Sequence, residues 1–186
     1  TTTDDYNAIS TGWGYRSDQW QWTNRLERRM ASASNTHSAS SSLYHPLSNS
    51  MAIGGSLDFY KQVTDPAYDQ TFDATLDFAL RPRKQPFALL FQTRWVQDKE
   101  STGEDSGRSE SRRIINNAHL NWMFNPGNQV AAQYGFKNVL DQYDDEDYKA
   151  TVHYLASEFR HNFNETWDIG LHGRELISSA EQQQNS

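Results

Sequence analysis

The chain has no cysteine, which excludes a disulfide framework and any thiolate metal site. It has no long apolar run, and that excludes a transmembrane helix, which needs about 18 or more such residues. Aliphatic material is scarce. Hydrophobic residues make up 35% of the 186 and mean hydropathy is -0.89, whereas soluble domains carry nearer half. An excess of cations is also missing. The net charge of -7 argues against a nucleic-acid partner. No signal peptide is visible, and the polar ends TTTDDYN and EQQQNS suit a mature secreted protein or a piece of a longer one. Aromatics are plentiful: 6 Trp, 9 Tyr and 9 Phe. A disordered chain would lack them.

Helix signals are weak, and period two dominates. In TFDATLDFAL, Phe72, Ala74, Leu76, Phe78 and Leu80 alternate with Thr71, Asp73, Thr75, Asp77 and Ala79. One face is apolar and the other carries two carboxylates. The same alternation gives Phe87, Leu89, Phe91 and Trp95 against Gln92 and Arg94. It gives Ile114, Leu120, Trp122 and Phe124 against Arg113, Asn117 and His119, and Trp167, Ile169 and Leu171 against Asp168, His172 and Arg174. NRLERRMASAS admits a helix, but Trp20, Trp22, Leu26 and Met30 at even positions suit a strand equally. The glycines of GWG at 12–14 suit a bulge or close packing beside Trp13, not a nucleotide loop.

Two kinds of connection alternate. RSDQ, HPLSNS, RPRKQP, NPGN and NFNE are short and built from turn residues. SASNTHSAS, KQVTDPAYDQ, QDKESTGEDSGRSES and VLDQYDDEDY are longer and polar. This predicts about five hairpins in a meander, spread over residues 6–179, with polar tails at 1–5 and 180–186.

A soluble antiparallel sandwich or barrel with a ligand- or surface-binding face is one reading. Two features oppose it. The strands are long, about 10 to 14 residues against a usual 5 or 6. All the short turns also fall at one end and all the long loops at the other. A transmembrane β-barrel needs both features. It also explains the low hydropathy, because half of each strand faces away from lipid. Tyr15, Trp20, Tyr44, Phe87, Phe124, Phe159, Phe163 and Trp167 cluster near the short turns, as interfacial aromatics do. The expected fold is an all-β, up-and-down antiparallel transmembrane barrel of about ten strands, or an incomplete sector of a larger one.

SLYHPLSNSMAIGGSLDF, HLNWMFNPGNQVAAQYGFKN and LASEFRHNFNETWDIGLHGREL resemble the repeated hairpins of Gram-negative outer-membrane β-barrels, as found in the barrel regions of large bacterial surface proteins. Each has an aromatic-ended strand, a short polar turn and an aromatic- or Met-led strand. The resemblance implies a bacterial outer-membrane location. Its partners would be outer-membrane lipid, lipopolysaccharide and an envelope protein or chain that completes the barrel. One departure stands out: such barrels end on a strand with a terminal aromatic, whereas this chain ends ISSAEQQQNS.

The alternation assigns candidate surfaces. Phe72, Leu76, Phe78, Phe87, Leu89, Phe91, Leu120, Trp122, Trp167 and Ile169 are expected to face lipid. Arg25, Glu27, Arg29, Asp58, Asp73, Asp77, Arg94, Arg113, Lys137, Asp168 and Arg174 are expected to line the lumen, as a charge-selective constriction or as a plug of ion pairs. Asp144, Asp145, Glu146 and Asp147 are a weak calcium candidate, since they lack the alternate-ligand and glycine pattern of a dedicated loop. No HxxxH or HExxH occurs among the six His, so no zinc site is expected. An outer-membrane hydrolase would need Ser, His and an orienting group together, and only Asn117 with His119 offers a start. No cofactor and no enzymatic activity are expected. The functions in view are a pore and a membrane anchor or scaffold.

Overall fold

A computed structural model describes residues 6–103, 107–144, 146–164 and 166–184. They form one antiparallel sheet of ten strands in the order of the chain. The strands are β1 (Tyr6–Arg16), β2 (Gln21–Ala31), β3 (Asn35–Ser48), β4 (Met51–Thr64), β5 (Ala67–Leu80), β6 (Phe87–Ser101), β7 (Arg108–Asn125), β8 (Asn128–Tyr143), β9 (Glu146–Asn162) and β10 (Asp168–Gln184). Each pairs only with its neighbours in sequence. The expected barrel ring is not closed: β1 and β10 exchange no ladder hydrogen bonds and remain the two edges of an open sheet.

Local chemistry sets the turns at one end. Ser17 Oγ accepts from Trp20 N at 3.1 Å. Asn125 Oδ1 accepts from Gly127 N at 3.0 Å, and Asn164 Oδ1 accepts from Trp167 N at 2.9 Å. These side chains satisfy backbone donors that the ladder leaves free. Pro82 and Pro86 bracket the turn between β5 and β6 and cannot donate to a ladder.

The other end corrects an expectation. The long loops predicted there are mostly strand. SASNTHSAS reduces to a bend at 32–34, because NTHSAS belongs to β3. KQVTDPAYDQ reduces to a turn at 65–66 between β4 and β5. β10 likewise runs on to Gln184, through residues expected to be tail. In these outer segments both faces are polar, so alternation disappears while the ladder continues. They are polar hairpin arms, not loops.

The register shows how the strands incline. One row of paired residues runs Tyr15–Trp22–Leu43–Gly55–Leu76–Thr93–Asn116–Phe136–His153–Ile177. Tyr15 is one residue from the short turn and Ile177 is nine residues from it. A stagger of eight residues at about 3.4 Å, over nine spacings of about 4.8 Å, tilts the strands by roughly 32° from the perpendicular to the line of short turns. Barrel strands incline by a similar amount.

Among the described residues, no second layer covers either face. Val96 is the one buried hydrophobic residue, and no side chain falls below 2% exposure among the described residues. Leu57 (52%), Leu76 (56%) and Leu155 (54%) are instead largely exposed.

Candidate functional site

Residues paired across an antiparallel ladder share a face, so the register sorts every strand residue onto one side or the other. Of the ten expected lipid-facing residues, Phe72, Leu76, Phe78, Phe87, Leu89, Phe91, Leu120, Trp122 and Ile169 fall on one face. Trp167 lies in the turn before β10, 71% exposed. All eleven expected lumen charges fall on the opposite face. The sheet therefore has an apolar and a polar side.

The apolar side has a defined extent. On β4, β5 and β6 it runs from the short turn through Met51 to Phe59, Leu80 to Phe72, and Phe87 to Trp95. Beyond those limits the same face turns polar, with Lys61, Gln70 and Gln97. Eight residues on strands tilted by roughly 32° span a height of about 23 Å. Asn24, Ser41, Thr93, Asn116 and Ser157 interrupt the band, as do His153 and the carboxylate Glu175 on β9 and β10. One of these is satisfied within the face: Trp22 Nε1 donates to Ser41 Oγ at 2.9 Å. At the short-turn end, Trp20 stacks on His45 with ring centres 3.8 Å apart. Trp122 meets Phe124 edge-on at 5.9 Å, and His161 meets Phe163 at 4.5 Å. These ring pairs form an aromatic rim.

The polar side is held by ion pairs. Glu27 lies between Arg25, at 2.7 Å, and Arg29 on one strand. Arg94 Nε reaches both oxygens of Asp73 at 2.9 Å. Asp58 stands directly opposite Asp73 on β4, so Arg94 offsets a like-charge pair. Arg113 pairs with Asp98, which also accepts from Thr71 Oγ1 at 2.9 Å. Arg160 pairs with Asp168, and Asp77 accepts from Gln92 Nε2 at 2.8 Å. Asp58, Lys137 and Arg174 make no ion pair among the described residues. Asp98 and Arg160 were missed in the sequence. Their parity matches that of the candidate charges, so counting every charge on that parity would have found them.

The remaining candidates do not assemble. Glu146 and Asp147 begin β9 on opposite faces, Asp144 sits in the turn at φ 46°, and Asp145 lies outside the described residues. No group of three or more His, Asp or Glu suited to a metal occurs among the described residues. His153 bonds Tyr134 Oη at 2.9 Å and His161 bonds Asn128 Oδ1 at 2.7 Å, so each histidine has its own partner. His119 stands between Leu90 and Gln133, and no serine bonds it among the described residues. It borders a shallow polar hollow of about 340 Å³, with Glu158, His172 and Arg174. No protein-family model matches the chain, and no curated protein sequence matches it.

Proposed function

We propose that the chain is membrane wall: the staves of a bacterial outer-membrane β-barrel, with the apolar face toward lipid and the polar face toward the interior. The observation that carries this reading is the bounded apolar band on a single-layer sheet. Its height of about 23 Å agrees with the roughly 25 Å apolar belt of such barrels. A soluble sheet with one greasy face buries it under a second layer, and none is present among the described residues. The band also ends partway along strands that continue, which a core has no reason to do and a bilayer does.

Within that reading, the role is anchor and scaffold. Many of the interior charges are paired with one another across or along the strands, from Arg25–Glu27–Arg29 through Arg94–Asp73 and Arg113–Asp98 to Arg160–Asp168, so they brace the wall. Ten strands at this tilt would enclose a backbone radius of about 9 Å, which side chains largely fill. The function of such a wall is to hold the polar hairpin arms beyond the membrane. Strand edges are not tolerated in hydrocarbon, so β1 and β10 pair in the membrane, with each other or with strands of an envelope partner. A pore is the second reading, and conductance separates the two. Protein folded into planar bilayers is expected to give no unitary current steps, and regular steps with charge selectivity would replace scaffold with channel.

A further inference from the structure

Charge on the apolar face is unevenly distributed. Across β1 to β6 that face carries no carboxylate; every acid of those strands, from Glu27 to Glu100, stands on the polar side. Its lysines and its arginine fall on one register row, Ile9–Arg28–His37–Lys61–Gln70–Lys99, and His45 of the same face lies apart at the short-turn end. Toward the short turns, the next row is Thr11, Leu26, Ala39, Phe59, Phe72 and Gln97. Arg28 and Lys61 thus follow directly on Leu26 and Phe59 of the apolar face, while Lys99 stands beyond Gln97, two positions past Trp95; the row runs oblique to the line of short turns, from Arg28 on β2 outward to Lys99 on β6. Lys61 Nζ lies over the Tyr68 ring, 5.4 Å from its centre. Lys99 Nζ is 3.6 Å from Glu110 Oε2, where the row reaches β7. Arg28 and Lys61 make no ion pair among the described residues.

We propose that this row is a phosphate-binding strip for a phosphorylated, acylated lipid. It rests on the membrane reading above and adds to it a leaflet and a headgroup. Arg28, Lys61 and Lys99 recur every two strands, about 10 Å apart, so one headgroup with two phosphates, or two adjacent headgroups, can engage neighbouring cations. Lysine and arginine at a membrane margin extend their charged ends toward the headgroups while their stems stay in the apolar zone. The acyl chains lie along Phe59, Phe72, Leu57 and Leu76 on the same face. A soluble phosphorylated partner would gain from the cations but would leave that band uncovered. The charge separation has a direct physical consequence. Acids on this face would repel the phosphates, and across six strands they are confined to the other side.

The test uses the full chain in zwitterionic detergent micelles, with lipid retention read by native mass spectrometry. Diphosphoryl lipid A and the same lipid without phosphates are the two ligands. The expected result is a clear preference for the diphosphoryl form that weakens with added salt. Arg28→Gln, Lys61→Gln and Lys99→Gln each lower the preference about five-fold, and together about 100-fold, at about 1 kcal/mol per cation. Arg16→Gln, on the polar face, leaves it unchanged. If the triple variant does not fold, the single variants and the salt titration carry the test. Equal retention of both lipids by well-folded, bilayer-inserted protein would overturn the strip and leave the membrane wall standing. Displacement of the lipid by millimolar inorganic phosphate would overturn the lipid assignment. Failure of the chain to fold in micelles or vesicles at all would sink the membrane reading itself.

Discussion

Leu76→Arg is the most informative single change. Leu76 lies four residues from the end of β5 at Leu80, which puts it about 12 Å above the line of short turns and near the middle of the apolar band. On its face it is flanked by Gly55 and Thr93, and neither offers a counter-charge. In hydrocarbon an arginine at the midplane of a barrel wall costs about 2–4 kcal/mol, falling to 0–1 near the interface. In water, an arginine replacing a leucine that is already 56% exposed costs a fraction of a kcal/mol. The assay is reversible denaturant unfolding from phosphatidylcholine vesicles for wild type, Leu76→Arg and Leu80→Arg. The expected losses are about 2–4 kcal/mol at Leu76 and under about 1 kcal/mol at Leu80. Equal losses at the two depths, or a loss below about 0.5 kcal/mol at Leu76, would refute the placement of this face in lipid.

Other outcomes follow from the same geometry. Arg94→Ala leaves Asp73 facing Asp58 without its partner, and is expected to cost about 1–2 kcal/mol for this partly exposed pair; Asp73→Asn in the same chain should restore about half, measured by the same titration. Gly55→Ala puts a Cβ 2.7 Å from the backbone oxygen of Thr75, so β4 and β5 must separate there; a loss of about 1–3 kcal/mol is expected. Gly103→Ala strains a φ of 85° and meets the Pro66 ring, and faster exchange confined to the amides of Asp65, Thr102 and Gly103 is the expected sign. In a bilayer, amides of β1 and β10 are expected to exchange as slowly as those of β5, since unpaired edges are not tolerated there; fast exchange along either edge would refute edge pairing.

How much of this was legible in the sequence varied with depth along each strand. Where one face is apolar, alternation is unambiguous. Phe72 to Leu80 and Phe87 to Trp95 yielded the correct strands and faces, and the stagger that tilts them follows from the turn positions. Where both faces are polar, alternation carries no signal. Asn35 to Ser40 therefore read as loop and Ala180 to Gln184 as tail, although the ladder holds both. KQVTDPAYDQ read as a long connection because its polar composition hides the two-residue turn at Asp65 and Pro66. The open edges were not legible either. Pairing of β1 with β10 depends on the accumulated stagger and on what lies beside them, and no local pattern encodes it. Opposite charges at neighbouring positions suggested ion pairs in general terms. The partner of Arg94 could be named only once the register put β5 beside β6.

The most direct measurement uses the absence of native cysteine. Single cysteines at Leu76 and Asp77 carry a nitroxide, and collision rates with oxygen and with a water-soluble nickel chelate are read in vesicles. Adjacent residues on opposite faces should behave oppositely: the label at 76 collides mainly with oxygen, and the label at 77 is shielded from lipid-dissolved oxygen. Free access of the nickel chelate to position 76 would mean that the apolar face meets water, and the chain would not be a membrane wall.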